Sequence, residues 1–392
     1  MDRLVEIESL LARDIAGSLT PDHGVEIRFL LETYEKFKRG EVTATDLLFE
    51  SKVVTDRTWE LLNVGRWVDV PVARRQVYAV ASLIHVIALL RDDQENALRK
   101  SLEVTDLGIL LGHPFGDVCL TKVAEILSAH MSVSDAVQKV EKSEVRETQR
   151  KKMKLTNEID ACSKPSLEFF YVNHFTKKEP LKLTDCIDHW PAMKLWSDLR
   201  YIKSKAGHRT VPIEIGKHYA DSSYRQKLMK ISDFIDQFFK EDAADIGYLA
   251  QHQLFDQIPE LKKDIVQPDY CVLSEKDEPS EADINAWFGP KGTVSPLHFD
   301  PKHNLLCQVV GTKKIIMYPE SDSPFLYPRE GMLSNTSQVD VESPDLTAYP
   351  EFERAERREC LLNPGEMLYI PPKYWHHVRA LDNSFSVSFW WD

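Results

Sequence analysis

The sequence lacks the features that mark disulfide-stabilised and nucleic-acid-binding proteins. Its six cysteines are scattered and form no C-x-x-C pair, so we predict reduced thiols in an intracellular protein instead of a disulfide framework or a zinc ribbon. Acidic residues outnumber basic ones by 62 to 49, which gives a formal net charge of −13. Because binding to nucleic-acid phosphates requires a basic face, we expect no direct nucleic-acid binding.

Long apolar stretches are also missing. The most apolar one covers residues 77–90, which is 14 positions, and it contains Ser82 and His85. A membrane-spanning helix needs about 20 apolar residues, and the charged N-terminus does not fit a signal peptide. The stretch therefore predicts a buried helix, and we expect no membrane partner.

What the sequence does contain is two halves with different hydrophobic periods. In the first 140 residues, apolar side chains recur at spacings of three and four, as at Leu4, Ile7, Leu10, Leu11 and Ile15. This period predicts an all-α N-terminal domain over residues 1–140.

A polar stretch separates the halves and predicts a linker over residues 141–165. It includes a basic run at Arg150, Lys151, Lys152 and Lys154. The run fits either a nuclear import signal or an ordinary solvated charge cluster, and the sequence does not separate the two interpretations.

Short β-rich runs follow Pro165. They are separated by Gly, Pro, Asn and Asp, and include TVPIEIG, INAWFG, NLLCQVVG, KKIIMYP, EMLYIPP and SFSVSFWW. Two segments between them, DFIDQFFKEDAA and LFDQIPELKKDI, fit helices. Such runs without regular intervening helices predict an antiparallel jelly-roll or cupin-like domain over residues 166–392. The expected fold class of the whole chain is therefore α+β.

One of these segments, SPLHFDPKHN, suggests a metal site. In a strand, His298 and Asp300 share a face with their Cα atoms roughly 7 Å apart, so both side chains can converge on one ion. An imidazole and a carboxylate, joined by a second histidine, form the facial triad that binds divalent iron and leaves coordination positions open.

Three residues are candidates for that second histidine. His303 is close in sequence, but Pro301 starts a turn and Lys302 indicates exposure, so we predict that His303 lies at the surface. Of the neighbours His376 and His377, normally only one can face the interior of a strand. Strand alternation favours His376, because the opposite choice would place Arg379 inside, and it predicts that His377 faces water.

The metal-binding pattern resembles that of a known family. HFD in a β-rich domain, followed 78 positions later by the last residue of GEMLYIPPKYWH, is similar to the jumonji-C (JmjC) dioxygenases, as are TDCIDHWPAMKLW and LCQVVGTKKIIMYP. The resemblance covers roughly residues 166–392. It implies a double-stranded β-helix with Fe(II) as cofactor, 2-oxoglutarate and O2 as co-substrates, and His298, Asp300 and His376 as iron ligands.

The resemblance also implies which residues bind 2-oxoglutarate. The distal carboxylate needs a cation, and the family pattern places it at Lys313; strand alternation alone does not separate Lys313 from Lys314. The remaining implied contacts are Ser295, Asn304, Tyr248 and Trp390. Two tryptophans, Trp287 and Trp390, are either lining residues of the site or core aromatics.

The implied function is hydroxylation of a protein side chain, with arginine as the expected target. Three alternatives stay open: removal of N-methyl groups from histone lysine in chromatin regulation, peptidase activity, and a catalytically silent interaction protein. The expected partner is a protein or peptide substrate. The resemblance also implies a nuclear location, with the cytoplasm as a second compartment.

Overall fold

The computed structural model describes residues 2–11, 18–92, 96–116, 119–131, 155, 157–240, 242–276 and 281–392. The chain divides into two compact units. The first comprises residues 1–138 with 206–211 and 256–259, and the second comprises 139–205, 212–255 and 260–392. The basic run at 150–154 and most of the predicted linker lie outside the described residues, so the domain limits near 140 and 165 stay predictions.

The described part of the first unit is helical, as its hydrophobic period predicts. Its helices are α1 (Asp2–Ser9), α2 (Glu26–Lys38), α3 (Ala44–Leu62), α4 (Val72–Asp92), α5 (Ala97–Leu111) and α6 (Leu120–Ser128). A capping box starts α3, since the Thr43 hydroxyl accepts a hydrogen bond from the Asp46 amide and the Asp46 carboxylate accepts one from the Thr43 amide. These bonds satisfy backbone donors that a helix start leaves without partners.

The most apolar stretch of the sequence forms α4, the central helix of this unit. By length and composition α4 would suffice to cross a bilayer, but 72% of its most apolar window is buried in the unit. All residues from 77 to 89 are buried, so the predicted buried helix is confirmed. A side chain at Gly108 of α5 would come within 2.9 Å of the Ser82 Cβ atom, and the close approach of α4 and α5 therefore requires glycine.

A buried ion pair fastens the segment 206–211 into the first unit. Asp106 and Arg209 have exposed fractions of 0% and 1%, and their closest charged atoms are 2.7 Å apart. The Asp106 carboxylate also accepts hydrogen bonds from the Thr210 amide and the Gln257 side chain. The Arg209 Nη2 atom also donates to the Gln257 carbonyl at 2.9 Å, and such additional hydrogen bonds offset part of the cost of burying the two charges.

We expect the stability of the first unit to fall in mild acid because of His85. The His85 Nδ1 atom lies 2.8 Å from the Ser51 hydroxyl, and burial lowers the pKa of His85 from 6.5 to about 4. Between these values the unfolded chain takes up a proton that the folded chain does not. The free energy of unfolding therefore decreases as the pH falls through this window, by about 1.4 kcal/mol per pH unit.

Hydrogen exchange of the α4 amides at pH 7 and pH 5 measures this effect on the unit itself. A His85→Gln variant keeps a side chain that can hydrogen-bond to Ser51 but cannot take up the proton. We expect its protection to fall clearly less than that of the wild type between the two pH values. Equal losses in both proteins would contradict the role of His85.

The second unit contains two β-sheets. The strands are β1 (Ala161–Ser163), β2 (Leu181–Thr184), β3 (Thr210–Ile215), β4 (Arg225–Lys230), β5 (Gly247–His252), β6 (Asp283–Gly289), β7 (Val294–His298), β8 (His303–Val310), β9 (Lys313–Tyr318), β10 (Arg358–Leu362), β11 (Met367–Ile370), β12 (Trp375–Ala380) and β13 (Ser384–Trp391). The first two residues of β3 belong to the first unit. All six quoted β-rich runs form strands, as predicted.

The sheets have nine and four strands. Their orders are β1-β2-β11-β8-β13-β6-β5-β3-β4 and β10-β9-β12-β7, and the pairing in the four-stranded sheet is antiparallel. Short helices connect the strands at α7 (Leu167–Phe170), α8 (Ala192–Leu195), α9 (Leu199–Ala206), α10 (Ile231–Phe238), α11 (Leu254–Gln257) and α12 (Pro259–Lys262). The predicted α+β fold class and the cupin-like C-terminal domain are confirmed.

Apolar side chains cover both faces of the four-stranded sheet. On the inner face, Ile315 and Met317 pack against Leu306 and Leu368 of the larger sheet. On the outer face, a second cluster joins sheet residues to the connection between β9 and β10: Leu297, Ile316, Tyr318, Trp375, Leu326, Val339, Val341 and Phe352. Alternate residues of β12 therefore point into two different apolar clusters, and neither face of the strand is exposed to solvent.

Candidate metal centre

Two neighbouring strands bring His298, Asp300 and His376 together. His298 is the last residue of β7 and pairs with His376 of β12, so the two imidazole rings have a centroid distance of 4.3 Å. One Asp300 oxygen is 3.9 Å from the His298 Nε2 atom and 3.5 Å from the His376 Nε2 atom. All three potential ligand atoms lie within 4.8 Å of one another.

Hydrogen bonds prepare both histidines for metal binding. The Nδ1 atom of His298 lies 2.7 Å from the Pro296 carbonyl, and that of His376 lies 2.9 Å from the Tyr374 carbonyl. Because a carbonyl can only accept, each Nδ1 carries a hydrogen, and each Nε2 atom lies on the side of Asp300. Burial, with the nearby His298, lowers the pKa of His376 to about 4, so the ring is neutral at physiological pH, as a metal ligand must be.

This donor set fits a divalent iron ion. Two imidazoles and one carboxylate occupy one side of a metal and leave the opposite positions open for other molecules. Among the described residues, the triad is the one group of histidine, cysteine and acidic side chains close enough to hold an ion. The arrangement can therefore bind a metal that also accepts exogenous ligands.

A cavity beside the triad contains four of the five predicted 2-oxoglutarate contacts. Tyr248, Ser295, Asn304 and Lys313 line it together with the triad. Trp287 lines it as well. Trp390 pairs with Asn304 in the sheet but is not among the lining residues.

Lys313 places a buried amine at one side of this cavity. Its side chain has an exposed fraction of 1%, and its Nζ atom donates to the Tyr248 hydroxyl at 3.3 Å. Burial lowers the pKa of Lys313 to about 7, and no carboxylate of the described residues opposes that effect. Asn304 Oδ1 is buried in the same cavity without a hydrogen-bond partner. A carboxylate ligand would supply the anion that Lys313 lacks.

The neighbouring lysine has a different environment. Lys314 points to the other face of β9 and forms an ion pair with Glu359 at 3.1 Å. The structure thus distinguishes two residues that strand alternation in the sequence does not separate.

Two histidines predicted at the surface are buried, and those predictions are wrong. His303 has an exposed fraction of 1%; its ring stacks on Phe175 at 4.2 Å, and its Nδ1 atom lies 2.8 Å from the Tyr369 hydroxyl. His377 has an exposed fraction of 4%, because the β9–β10 connection covers the outer face of its strand. Neither residue belongs to the metal-binding group.

Sequence reasoning missed an acidic residue close to the cavity. Glu214 of β3 lies opposite Tyr248 of β5, and directly opposed residues of antiparallel strands share a face. Burial raises the pKa of Glu214 to about 7, and the Tyr224 hydroxyl donates to it at 3.4 Å. The available signal was a single carboxylate between the apolar residues of VPIEIG.

The fold and the site define the class of protein. Residues 166–392 match the model of the cupin-like domain family, and the chain belongs to that family. A Danio rerio protein named "Lysine-specific demethylase 8" is 43% identical over 354 residues, which cover 87% of this chain and 86% of the relative.

Two further relatives cover a similar or larger share. The Drosophila melanogaster "Jumonji C domain-containing protein 5" is 42% identical over 402 residues and 99% of both chains, and the Xenopus tropicalis "Lysine-specific demethylase 8" is 39% identical over 90% of both. The expected resemblance to JmjC proteins is confirmed, and it extends to relatives named lysine-specific demethylase 8. The protein is an Fe(II)- and 2-oxoglutarate-dependent oxygenase.

Proposed function

We propose that this oxygenase hydroxylates an arginine side chain of a protein substrate, with iron held by His298, Asp300 and His376. When bound, iron and 2-oxoglutarate supply the oxidation of a C–H bond by O2, with succinate and carbon dioxide as the other products. The protein supplies two imidazoles, a carboxylate and the cavity beside them. No nucleophilic side chain is required for this reaction.

In this proposal, the cavity residues orient 2-oxoglutarate. Lys313 would bind the distal carboxylate, with the Tyr248 and Ser295 hydroxyls beside it, and Asn304 would lie along the molecule. The support is the buried lysine without an opposing carboxylate. A charge-assisted hydrogen bond in such an environment is stronger than one in water.

The position of Glu214 is the observation that favours a cationic target residue. Its carboxylate is half-buried on the Tyr248 side of the sheet, and no lysine or arginine of the described residues contributes to its pKa. Arginine stays charged at all physiological pH values and offers five N–H donors to a carboxylate. A fully methylated lysine ammonium has no N–H to donate, so the same position favours arginine over that target.

A Glu214→Gln variant tests this assignment. With an arginine-containing peptide, we expect KM for the peptide to rise about tenfold or more, because one partner of a partly desolvated charge pair is lost. Succinate formed without peptide should stay unchanged, since that reaction does not need the substrate contact. An unchanged peptide KM would contradict the role of Glu214.

The relatives' names favour a second candidate, demethylation of lysine. Mass spectrometry of the reacted peptide separates the two reactions, because hydroxylation adds one oxygen atom and demethylation removes a methyl group as formaldehyde. Methyl loss from N-methyl-lysine peptides, without oxygen gain on arginine peptides, would overturn the proposal of arginine hydroxylation.

We also propose that the protein acts in the nucleus, with the cytoplasm as a second compartment. The support is the likeness to relatives named as lysine-specific demethylases. Fluorescence imaging of the full-length chain tests the location, and exclusion from the nucleus would contradict it.

A further inference from the structure

The strand that carries His298 lies at an edge of its sheet. β7 is the last strand in the order β10-β9-β12-β7, so within the described part of the chain no strand pairs with its outer edge. Asp300 lies two residues beyond the end of β7. His298 is paired with His376 inside the sheet, whereas Asp300 depends on contacts outside the regular sheet for its placement.

The segment 335–337, here called the strap, lies along this outer edge. The Ser337 amide donates to the Leu297 carbonyl at 2.8 Å, and His298 forms an isolated bridge with Thr336. The strap thus takes the place of a neighbouring strand beside the residues that lead to Asp300.

One strap residue binds both polar groups of Phe299, the residue between the two ligands. The Phe299 amide donates to the Asn335 carbonyl at 3.0 Å, and the Asn335 Nδ2 atom donates to the Phe299 carbonyl at 3.0 Å. The Phe299 ring packs edge-on against Trp375 with a centroid distance of 4.8 Å. These contacts restrict rotation of the backbone between His298 and Asp300.

The strap is itself held firmly. Thr336 has no exposed surface, and its hydroxyl lies 3.1 Å from that of Tyr219. The Ser337 hydroxyl donates to the Leu326 carbonyl at 2.6 Å and accepts from the Val339 amide at 2.9 Å. A fixed strap can transmit its position to Phe299.

We propose that Asn335 is a positioning residue of the metal centre, which sets the orientation of Asp300 relative to His298 through the Phe299 backbone. This rests on the proposed role of the triad as iron ligands. Contacts that orient metal ligands are worth roughly 10- to 100-fold in metal affinity or activity when they are removed. The side-chain amide of Asn335 is the part of this contact that a substitution can delete.

Co(II) alone, added to the metal-free full-length protein, tests the proposal. Asn335→Asp keeps the size of the side chain but replaces the donor at Phe299 by an acceptor, and Asn335→Ala removes it. We expect both variants to lose about 10- to 100-fold in Co(II) affinity and to change the visible absorption spectrum of the bound ion. Thermal unfolding of the metal-free variants should stay close to that of the wild type.

Gln338→Ala is the matched control, since Gln338 has the same functional group beside the strap but is exposed and bonds to the Pro328 carbonyl. It should match the wild type in affinity and spectrum. The proposal would be overturned if Asn335→Asp bound Co(II) with the same affinity and the same absorption spectrum as the control. Retention of the same Co(II) site by His376→Ala would instead overturn the ligand assignment on which it rests.

Discussion

Replacing His376 by alanine is expected to abolish iron-dependent succinate formation, whereas replacing His377 should preserve it. The His376 Nε2 atom lies 3.5 Å from Asp300. Without the imidazole of His376, the site keeps only His298 and Asp300 as metal donors. Loss of a contact that only orients a ligand costs roughly 10- to 100-fold, so loss of the ligand itself should cost at least about 100-fold in metal affinity.

His377 provides a closely matched control. Both histidines have an exposed fraction of 4% and are neighbours in β12, but they enter opposite faces of the sheet. Iron affinity by competition with a chelator and succinate release should therefore distinguish the two alanine variants. Equal losses in both, or none in His376→Ala, would contradict the assignment of the third ligand.

The second large effect is expected at Lys313. Truncation of one partner of a buried charge pair costs roughly 2 to 5 kcal/mol, and about 1.4 kcal/mol corresponds to a tenfold change in affinity. Lys313→Met should therefore weaken 2-oxoglutarate binding by about 30-fold or more, measured by calorimetry on the Mn(II)-loaded protein. Lys314→Met should bind within about twofold of the wild type, because Lys314 pairs with Glu359 on the other face.

The pH dependence of 2-oxoglutarate binding tests whether the charge of Lys313 causes this effect. Burial lowers the pKa of Lys313 to about 7 in the ligand-free protein, and a dianion prefers the protonated lysine. Affinity for 2-oxoglutarate should therefore decrease as the pH rises above 7, by up to about tenfold per pH unit. A Lys313→Arg variant, which stays charged, should lose this dependence; the same dependence in both proteins would contradict the role of Lys313.

Much of the fold could be predicted from hydrophobic periods, and the resemblance to JmjC dioxygenases implied the triad. The strand period of two separates His376 from His377 within β12, whereas Asp300 lies two residues beyond the end of β7. That period does not tell whether the outer face of a strand is solvated. The prediction for His377 was wrong because a distant connection, with Val339 and Phe352, covers that face.

Contacts between residues far apart in sequence account for the other differences. His303 follows a lysine, which suggests exposure, but Phe175 and Tyr369 enclose its ring. Asn335 lies in a polar loop with no chemical pattern of its own, and only the folded chain brings it to Phe299. Glu214 becomes notable because the register places it opposite Tyr248. None of these pairings has a local signal in the sequence.

The most direct test of the central claim is a single reaction with Fe(II), 2-oxoglutarate, isotope-labelled O2 and an arginine-containing peptide, followed by mass spectrometry of peptide and succinate. One oxygen atom of O2 should appear in the arginine side chain and the other in succinate, in equal amounts, and neither should appear with His376→Ala. Succinate formation without labelled arginine, accompanied by methyl loss from N-methyl-lysine peptides, would contradict arginine hydroxylation. Failure of both products in the iron-loaded wild type would contradict the assignment as an oxygenase.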